Sequence, residues 1–282
     1  MISSMTLITC FVTLFVTLLL PIIAISVLSS RNKGEKMVSA WALGAAGFVV
    51  TQLIIRLPIL TALQNQPWFM NFSENHGFLF VFTLALTAGL FELAGRFGVA
   101  KLMQKNLTFK RSLAAGLGHG GIEAMLLVGM TYINNLVYIV MINTGTFDSL
   151  IAEAVAAGNA APQLDVLITQ LEMIRSQLID ASPALFLLAS LERVLTMTCH
   201  AGMSMIVCYG VATKKILPCL LICLGIHTMI DLTAGISLLS NTALSQTAVY
   251  IIVYLILAAV AALSLLIIRK FHSRWPQKEV TL

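Results

Sequence analysis

Apolar stretches of membrane-spanning length recur along the chain, at 5–28, 38–63, 78–99, 112–141, 184–211, 216–239 and 248–268. About 20 apolar residues suffice to cross the hydrocarbon core of a bilayer as one α-helix. The pattern therefore predicts an all-α fold, a polytopic membrane protein built as a bundle of about seven transmembrane helices. Within the second stretch, Arg56-Leu57-Pro58 predicts an end or a kink, because proline removes a backbone donor and crowds the preceding turn. The first stretch has no basic residue before it and exceeds the apolar core of a signal peptide, so it reads as a retained span.

One polar connection is long, from about 143 to 182. Leu164, Leu167, Ile168, Leu171, Ile174 and Leu178 follow helical spacing there, with Asp165, Glu172 and Arg175 on the opposite side. This predicts an amphipathic helix, either a cap lying at the membrane interface or a lid over a substrate entrance. No linker or internal repeat is visible, so residues 1–282 read as a single integral-membrane domain carrying this loop.

Composition agrees with the pattern. The chain is 59% hydrophobic and only 10% charged, where soluble domains carry roughly a quarter charged residues. The net charge of +5 does not point to nucleic acid, because the basic residues sit between apolar stretches and form no polar domain. They instead set the topology. Arg31, Lys33, Lys36, Lys101, Lys105, Lys110, Arg111, Lys214, Lys215, Arg269, Lys270, Arg274 and Lys278 all fall in alternate connections or the tail, against Arg175 alone on the other side. Basic loops stay cytoplasmic, which predicts the N-terminus out, the C-terminus in, a cell-membrane location and an extracytoplasmic 143–182 loop. The five cysteines lie within apolar runs and form no Cys-x-x-Cys pair, so neither a disulfide framework nor a zinc finger is expected.

What the pattern does not explain is a set of ionisable residues inside the spans, each costing at least about 2.5–3.5 kcal/mol to bury in a bilayer. His119 with Glu123, and His227 with Asp231, are each four residues apart and so share a helix face. Counting about 1.5 Å per residue from the cytoplasmic ends places Glu92, His119, Glu123, His200, His227 and Asp231 between roughly 10 and 22 Å deep. Four helices thus offer six polar groups in one slab. Arg96, one turn from Glu92, can pair with it. Glu192 and Arg193 come out at roughly 30 Å, as an ion pair or interfacial anchor, or as the top of a path that descends through Thr196 to His200. Gly118 and Gly120 beside His119, Gly202 beside His200 and Gly225 beside His227 would let helices approach closely.

Such a constellation can run hydrolysis. A carboxylate in a low-dielectric site takes a proton from water while imidazoles orient that water or stabilise an oxyanion. Alternatively His119, His200 and His227 could hold Zn²⁺ with a glutamate as base. No His-Glu-x-x-His motif decides between them, and no cofactor is favoured. Proton- or ion-coupled transport uses similar groups, though no duplicated halves are visible. Haem held between two histidines and a non-catalytic scaffold complete the alternatives.

In order along the chain, Phe91-Glu92-Leu93-Ala94-Gly95-Arg96, Gly118-His119-Gly120-Gly121-Ile122-Glu123, Glu192-Arg193 with His200, and His227-Thr228-Met229-Ile230-Asp231 resemble the YhfC family of intramembrane peptidases. The resemblance spans nearly the whole chain. That family is related to the CAAX prenyl endopeptidase (CPBP) and PrsW groups, with their Glu-Glu-x-x-x-Arg helix and later His-x-x-x-Asn or His-x-x-x-Asp. It implies an intramembrane endopeptidase of glutamic type, formerly described as metallo-type, acting on a membrane-associated protein or peptide. By this resemblance Glu92 and Arg96 match the second glutamate and the arginine of the first motif, His119 the next histidine, and His227 with Asp231 the last motif. With Glu123 and His200 from the shared slab, Glu92, His119, His227 and Asp231 form the expected catalytic set, supported by Arg96, Glu192 and Arg193. Phe91 stands where the wider group has its first glutamate and cannot accept a proton, which leaves the base to Glu92 or Glu123.

Overall fold

The computed structural model describes residues 1–157, 162–236, 239 and 245–276, and among these all regular structure is helical. Ten helices follow one another: α1 (Ser4–Arg31), α2 (Met37–Leu63), α3 (Pro67–Asn75), α4 (Gly77–Leu102), α5 (Phe109–Thr144), α6 (Thr146–Ala157), α7 (Pro162–Asp180), α8 (Pro183–Ala212), α9 (Ile216–Ile236) and α10 (Gln246–Arg274). Seven of them, α1, α2, α4, α5, α8, α9 and α10, are long and apolar enough to span a membrane. The chain is a multi-pass membrane protein.

Two helices depart from α geometry midway. In α2, Val49–Arg56 winds as a π-helix between the α-helical Met37–Phe48 and Leu57–Leu63. The helix therefore does not end at Arg56-Leu57-Pro58. The helix continues through Pro58, and the irregularity sits one turn earlier, where a wider turn relieves the crowding that a proline ring imposes on the carbonyl four residues back. In α5, Ala124–Gly129 is likewise π-helical and begins immediately after Glu123. Segments of this kind recur at functional sites.

The described contacts divide the chain into two compact units. The smaller comprises Met1–Leu20 and Ala124–Arg193. Its core gathers Ile2, Cys10, Tyr132, Ile139 and Leu178. Thr13 Oγ1 and Tyr132 Oη both donate to the carbonyl of Phe186, at 2.7 and 3.1 Å, and Ser190 donates to Thr13 at 2.8 Å. In α7 Leu171 and Leu178 are buried and Glu172 is exposed; the side chains of Leu164, Asp165 and Leu167 lie outside the described residues, as does Lys278.

The larger unit comprises Pro21–Glu123 and Val194–Leu282. Its core packs Met37, Ala40, Val99, Ala100, Ala114 and Ala115 against Cys199, Met203, Val207 and Cys208. The small side chains let backbones touch. A Cβ on Gly44 would lie 1.9 Å from the carbonyl oxygen of Ala115, and one on Gly118 would lie 2.0 Å from that of Trp41, so only glycine permits the α2–α5 packing. Leu255, Leu263, Leu265 and Leu266 of α10 are exposed, while Glu92, Arg96, His119, His200 and His227 are buried. That inverts a soluble protein and suits a lipid surround.

Candidate active site

All residues of the buried polar cluster belong to the larger unit. At its centre is Glu92 of α4, whose Oε2 accepts hydrogen bonds from His119 Nε2 of α5 at 2.9 Å, His227 Nε2 of α9 at 2.7 Å and Arg96 of its own helix at 3.0 Å. His200 Nδ1 of α8 stands 3.8 Å from the same oxygen. The other oxygen, Oε1, accepts from Gln52 Nε2 of α2 at 2.9 Å. Five helices therefore converge on one carboxylate. A buried charge is tolerable only when paired and hydrogen-bonded in this way.

The rings are held as well as bonded. His119 meets the edge of Phe48 at 5.4 Å between centroids and stacks on His200 at 5.4 Å, while His200 and His227 lie edge to face at 5.8 Å. Arg96 approaches His200 Nδ1 to 2.5 Å. An arginine only donates, so that nitrogen accepts and the ring proton sits on Nε2, which faces Glu123 Oε2 at 2.8 Å. His227 turns its other nitrogen, Nδ1, to Asp231 Oδ2 at 3.3 Å. Two of the three histidines are thus backed by a second carboxylate on the side away from Glu92.

Spaces for about one water each flank the cluster. One cavity of about 10 Å³ is bordered by Arg96, His119, Ser204 and Cys208, the other, also about 10 Å³, by Thr196, His200, His227 and Asp231. Arg96 Nε and NH1 are buried and have no hydrogen-bond partner among the described residues.

The structure brings together Glu92, Arg96, His119, Glu123, His200, His227 and Asp231, with two changes to the pairing that spacing alone predicts. His119 and Glu123 share a face, but His119 bonds to Glu92 and it is His200 that meets Glu123. Along a helix, two positions one turn apart meet different neighbours when the adjacent helices cross at an angle. Beside His227, a Cβ on Gly225 would find no atom within 4 Å; Gly89 of α4, whose Cβ would lie 3.1 Å from Thr228 Oγ1 and 3.6 Å from His227 Cβ, makes the close approach instead. Glu192 and Arg193 pair with each other in the smaller unit.

Gln52 and Arg56 were not among the sequence candidates. Both are polar residues inside the apolar stretch 38–63, and Gln52 lies at roughly 22 Å by the same count of helical rise. A depth count that included amides would have found it.

A zinc-class ion is the group that the chemistry of this cluster implies. Glu92, His200 and His227 each offer a ligand atom, all within 4.8 Å of one another. One carboxylate and two imidazoles form a known catalytic zinc donor set. Metal-ligating histidines characteristically bond their outer nitrogen to a carboxylate, and Glu123 lies 2.8 Å from His200 and Asp231 3.3 Å from His227 on that side. The residues present therefore fit the ion. The sequence-based set of His119, His200 and His227 differs by one member, with Glu92 in the place of His119.

The model of a family described as YhfC intramembrane metalloprotease matches residues 16–257. The chain is also similar to a membrane protein of Bacillus subtilis (strain 168) described as uncharacterized membrane protein YhfC, with 31% identity over 131 residues. That match covers 46% of this chain and 46% of the relative, about half the length of each. No solved structure matches the chain.

Proposed function

The chain belongs to the YhfC intramembrane metalloprotease family, and from that premise we propose that it is an endopeptidase hydrolysing a peptide bond of a membrane-associated protein or peptide. The observation that carries this reading is the convergence of His119, His227 and Arg96 on one oxygen of buried Glu92, with His200 beside it. In hydrolysis the water oxygen adds to the carbonyl carbon, its proton passes to a carboxylate, and that proton reaches the amine as the C–N bond breaks. Glu123 and Glu92 are the two carboxylates for this step. Glu123 lies beside the cluster, its Oε2 2.8 Å from His200 Nε2. Arg96 supplies two N–H donors, Nε and NH1, for the oxyanion.

Glu92, His200 and His227 are the residues that would hold a metal ion. Such an ion, when bound, lowers the pKa of a water and polarises the scissile carbonyl. Glu123 behind His200 and Asp231 behind His227 then orient the two imidazoles. One contact favours a metal-independent, glutamic variant: Arg96 occupies the lone pair of His200 Nδ1 that an ion would need. In that variant Glu92 Oε1, which gives one acceptor position to Gln52, keeps another for a water.

The test uses purified protein in liposomes with a cleavable membrane-anchored peptide, measuring turnover and metal content together. Loss of turnover in both Glu92→Gln and Glu123→Gln is expected; wild-type turnover in both would refute the assignment. Loss on chelation, restored by zinc, selects the metal-dependent variant, and turnover in metal-free protein selects the other. The same reading takes the N-terminus as outside, the C-terminus as inside, the 143–182 segment as extracytoplasmic, and the cell membrane as the location. It rests on the basic residues between the spans, and an impermeant thiol reagent reaching a cysteine introduced at exposed Ser149 only from outside would support it.

A further inference from the structure

Gln52 and Arg56 have no place in the proposed chemistry, yet they touch it. Gln52 is 5% exposed and lies on the π-helical turn of α2. Its Nε2 donates to Glu92 Oε1 at 2.9 Å and to the carbonyl of Ala88 at 3.2 Å. Its Oε1 accepts from Arg56 NH1 at 3.3 Å, and Arg56 NH2 donates to the carbonyl of Leu84 at 2.8 Å. Each of these partners outside α2 is on α4. The backbones are close one turn away, where a Cβ on Gly95 would lie 2.7 Å from the carbonyl oxygen of Gly47, which brings a side chain as short as glutamine within reach of Glu92.

An amide has two ends that differ chemically, and Arg56 decides which faces Glu92. A guanidinium has donors only, so it must meet the carbonyl end of Gln52. The NH₂ end is then committed to the carboxylate. The reversed amide would set an oxygen against Glu92 and an NH₂ against Arg56, two repulsive contacts in a buried site. Glu92 is consequently fixed about its terminal torsion. Oε1 is turned toward α2, and Oε2 toward His119, His227 and Arg96. Without the amide the carboxylate is free to turn about that torsion and the histidines lose a fixed acceptor.

We propose that Gln52, itself oriented by Arg56, is a positioning residue that fixes the rotation of the Glu92 carboxylate, so that one oxygen is held toward the histidines. The functional part of this inference rests on the peptidase reading, whereas the geometric part does not. Its test therefore has two arms. Gln52→Met removes the donor with little change of volume, and Gln52→Leu, which also lacks a donor, serves where the methionine variant does not fold.

In the kinetic arm, kcat for the membrane-anchored peptide falls about 10- to 100-fold, as for other groups that orient a reactive carboxylate from behind, with KM within about twofold of wild type. In the structural arm, ¹⁵N-histidine spectra of the five histidines show the ring nitrogens of His119 and His227 displaced, while His272 stays in place. Wild-type kcat together with unchanged His119 and His227 resonances overturns the proposal. Should the wild-type protein cleave nothing, the peptidase reading falls alone and the histidine spectra still decide whether Gln52 orients Glu92.

Discussion

Replacing Gly118 by alanine adds one methyl group, but at a place where the nearest atom is backbone. The new Cβ would stand 2.0 Å from the carbonyl oxygen of Trp41, against the 3.4 Å at which ordinary contact begins. A side chain could swing away; a helix backbone cannot, so α2 and α5 must part by about 1.4 Å at this point. His119 is the next residue, and its Nε2 is 2.9 Å from Glu92 Oε2. A shift of that size carries the bond beyond hydrogen-bonding range. Overpacking of this kind costs about 1–3 kcal/mol of stability, and a misplacement near 1 Å at a reactive group costs about 100-fold in rate. Gly225→Ala is the matched control, since its Cβ meets nothing within 4 Å and alanine is the better helix former by about 1 kcal/mol. Thermal unfolding in detergent and turnover in liposomes would be measured on both variants. Wild-type turnover and midpoint in Gly118→Ala, or equal losses in the two variants, would refute the close approach of α2 and α5.

Glu92→Gln removes the carboxylate that Arg96 pairs with, and stranding a buried charge costs about 3–5 kcal/mol; chemical unfolding with a midpoint equal to wild type would contradict this. In the metal-dependent variant of the proposed mechanism, Asp231→Asn and Glu123→Gln would each weaken zinc binding about 10- to 100-fold, read by chelator competition, and unchanged affinity would show that neither histidine is oriented for a metal. In the smaller unit, Thr13→Val loses the bonds to Phe186 and Ser190 at about 1 kcal/mol each, whereas Arg175→Ala disrupts a partly exposed pair with Asp148 worth less than about 1 kcal/mol. Equal shifts of the unfolding midpoint for the two would be the contrary result.

The seven spans were legible because lipid forces a nearly unbroken run of apolar residues on any helix that crosses it. Of the polar cluster, the members with a formal charge or an imidazole stood out against that background, and their common depth followed from helical rise alone. Partnership did not follow. The spacing of His119 and Glu123 shows a shared face, but the crossing of α5 with α4 and α8 decides that one bonds to Glu92 and the other lies beside His200. Gly225 next to His227 carried the right composition and the wrong face. Gln52 escaped notice for a different reason. A neutral amide in an apolar run costs little to read past, and its partner Glu92 lies 40 residues along the chain. The π-helical turn that carries it has no distinctive residue of its own, and only Pro58 downstream signals that the helix is under strain.

The bond between Arg96 and Glu92 lies within a single helix, four residues apart, and this bears on how α4 reaches the bilayer at all. His119, His200 and His227 belong to helices made later. When α4 emerges, Glu92 has none of these partners, and a lone carboxylate would face the full cost of entering hydrocarbon. With Arg96 one turn away the segment enters as a self-neutralised dipole and can wait. As α5, α8 and α9 arrive, the histidines add to a carboxylate already in place, so assembly of the site proceeds from a seed carried by one helix.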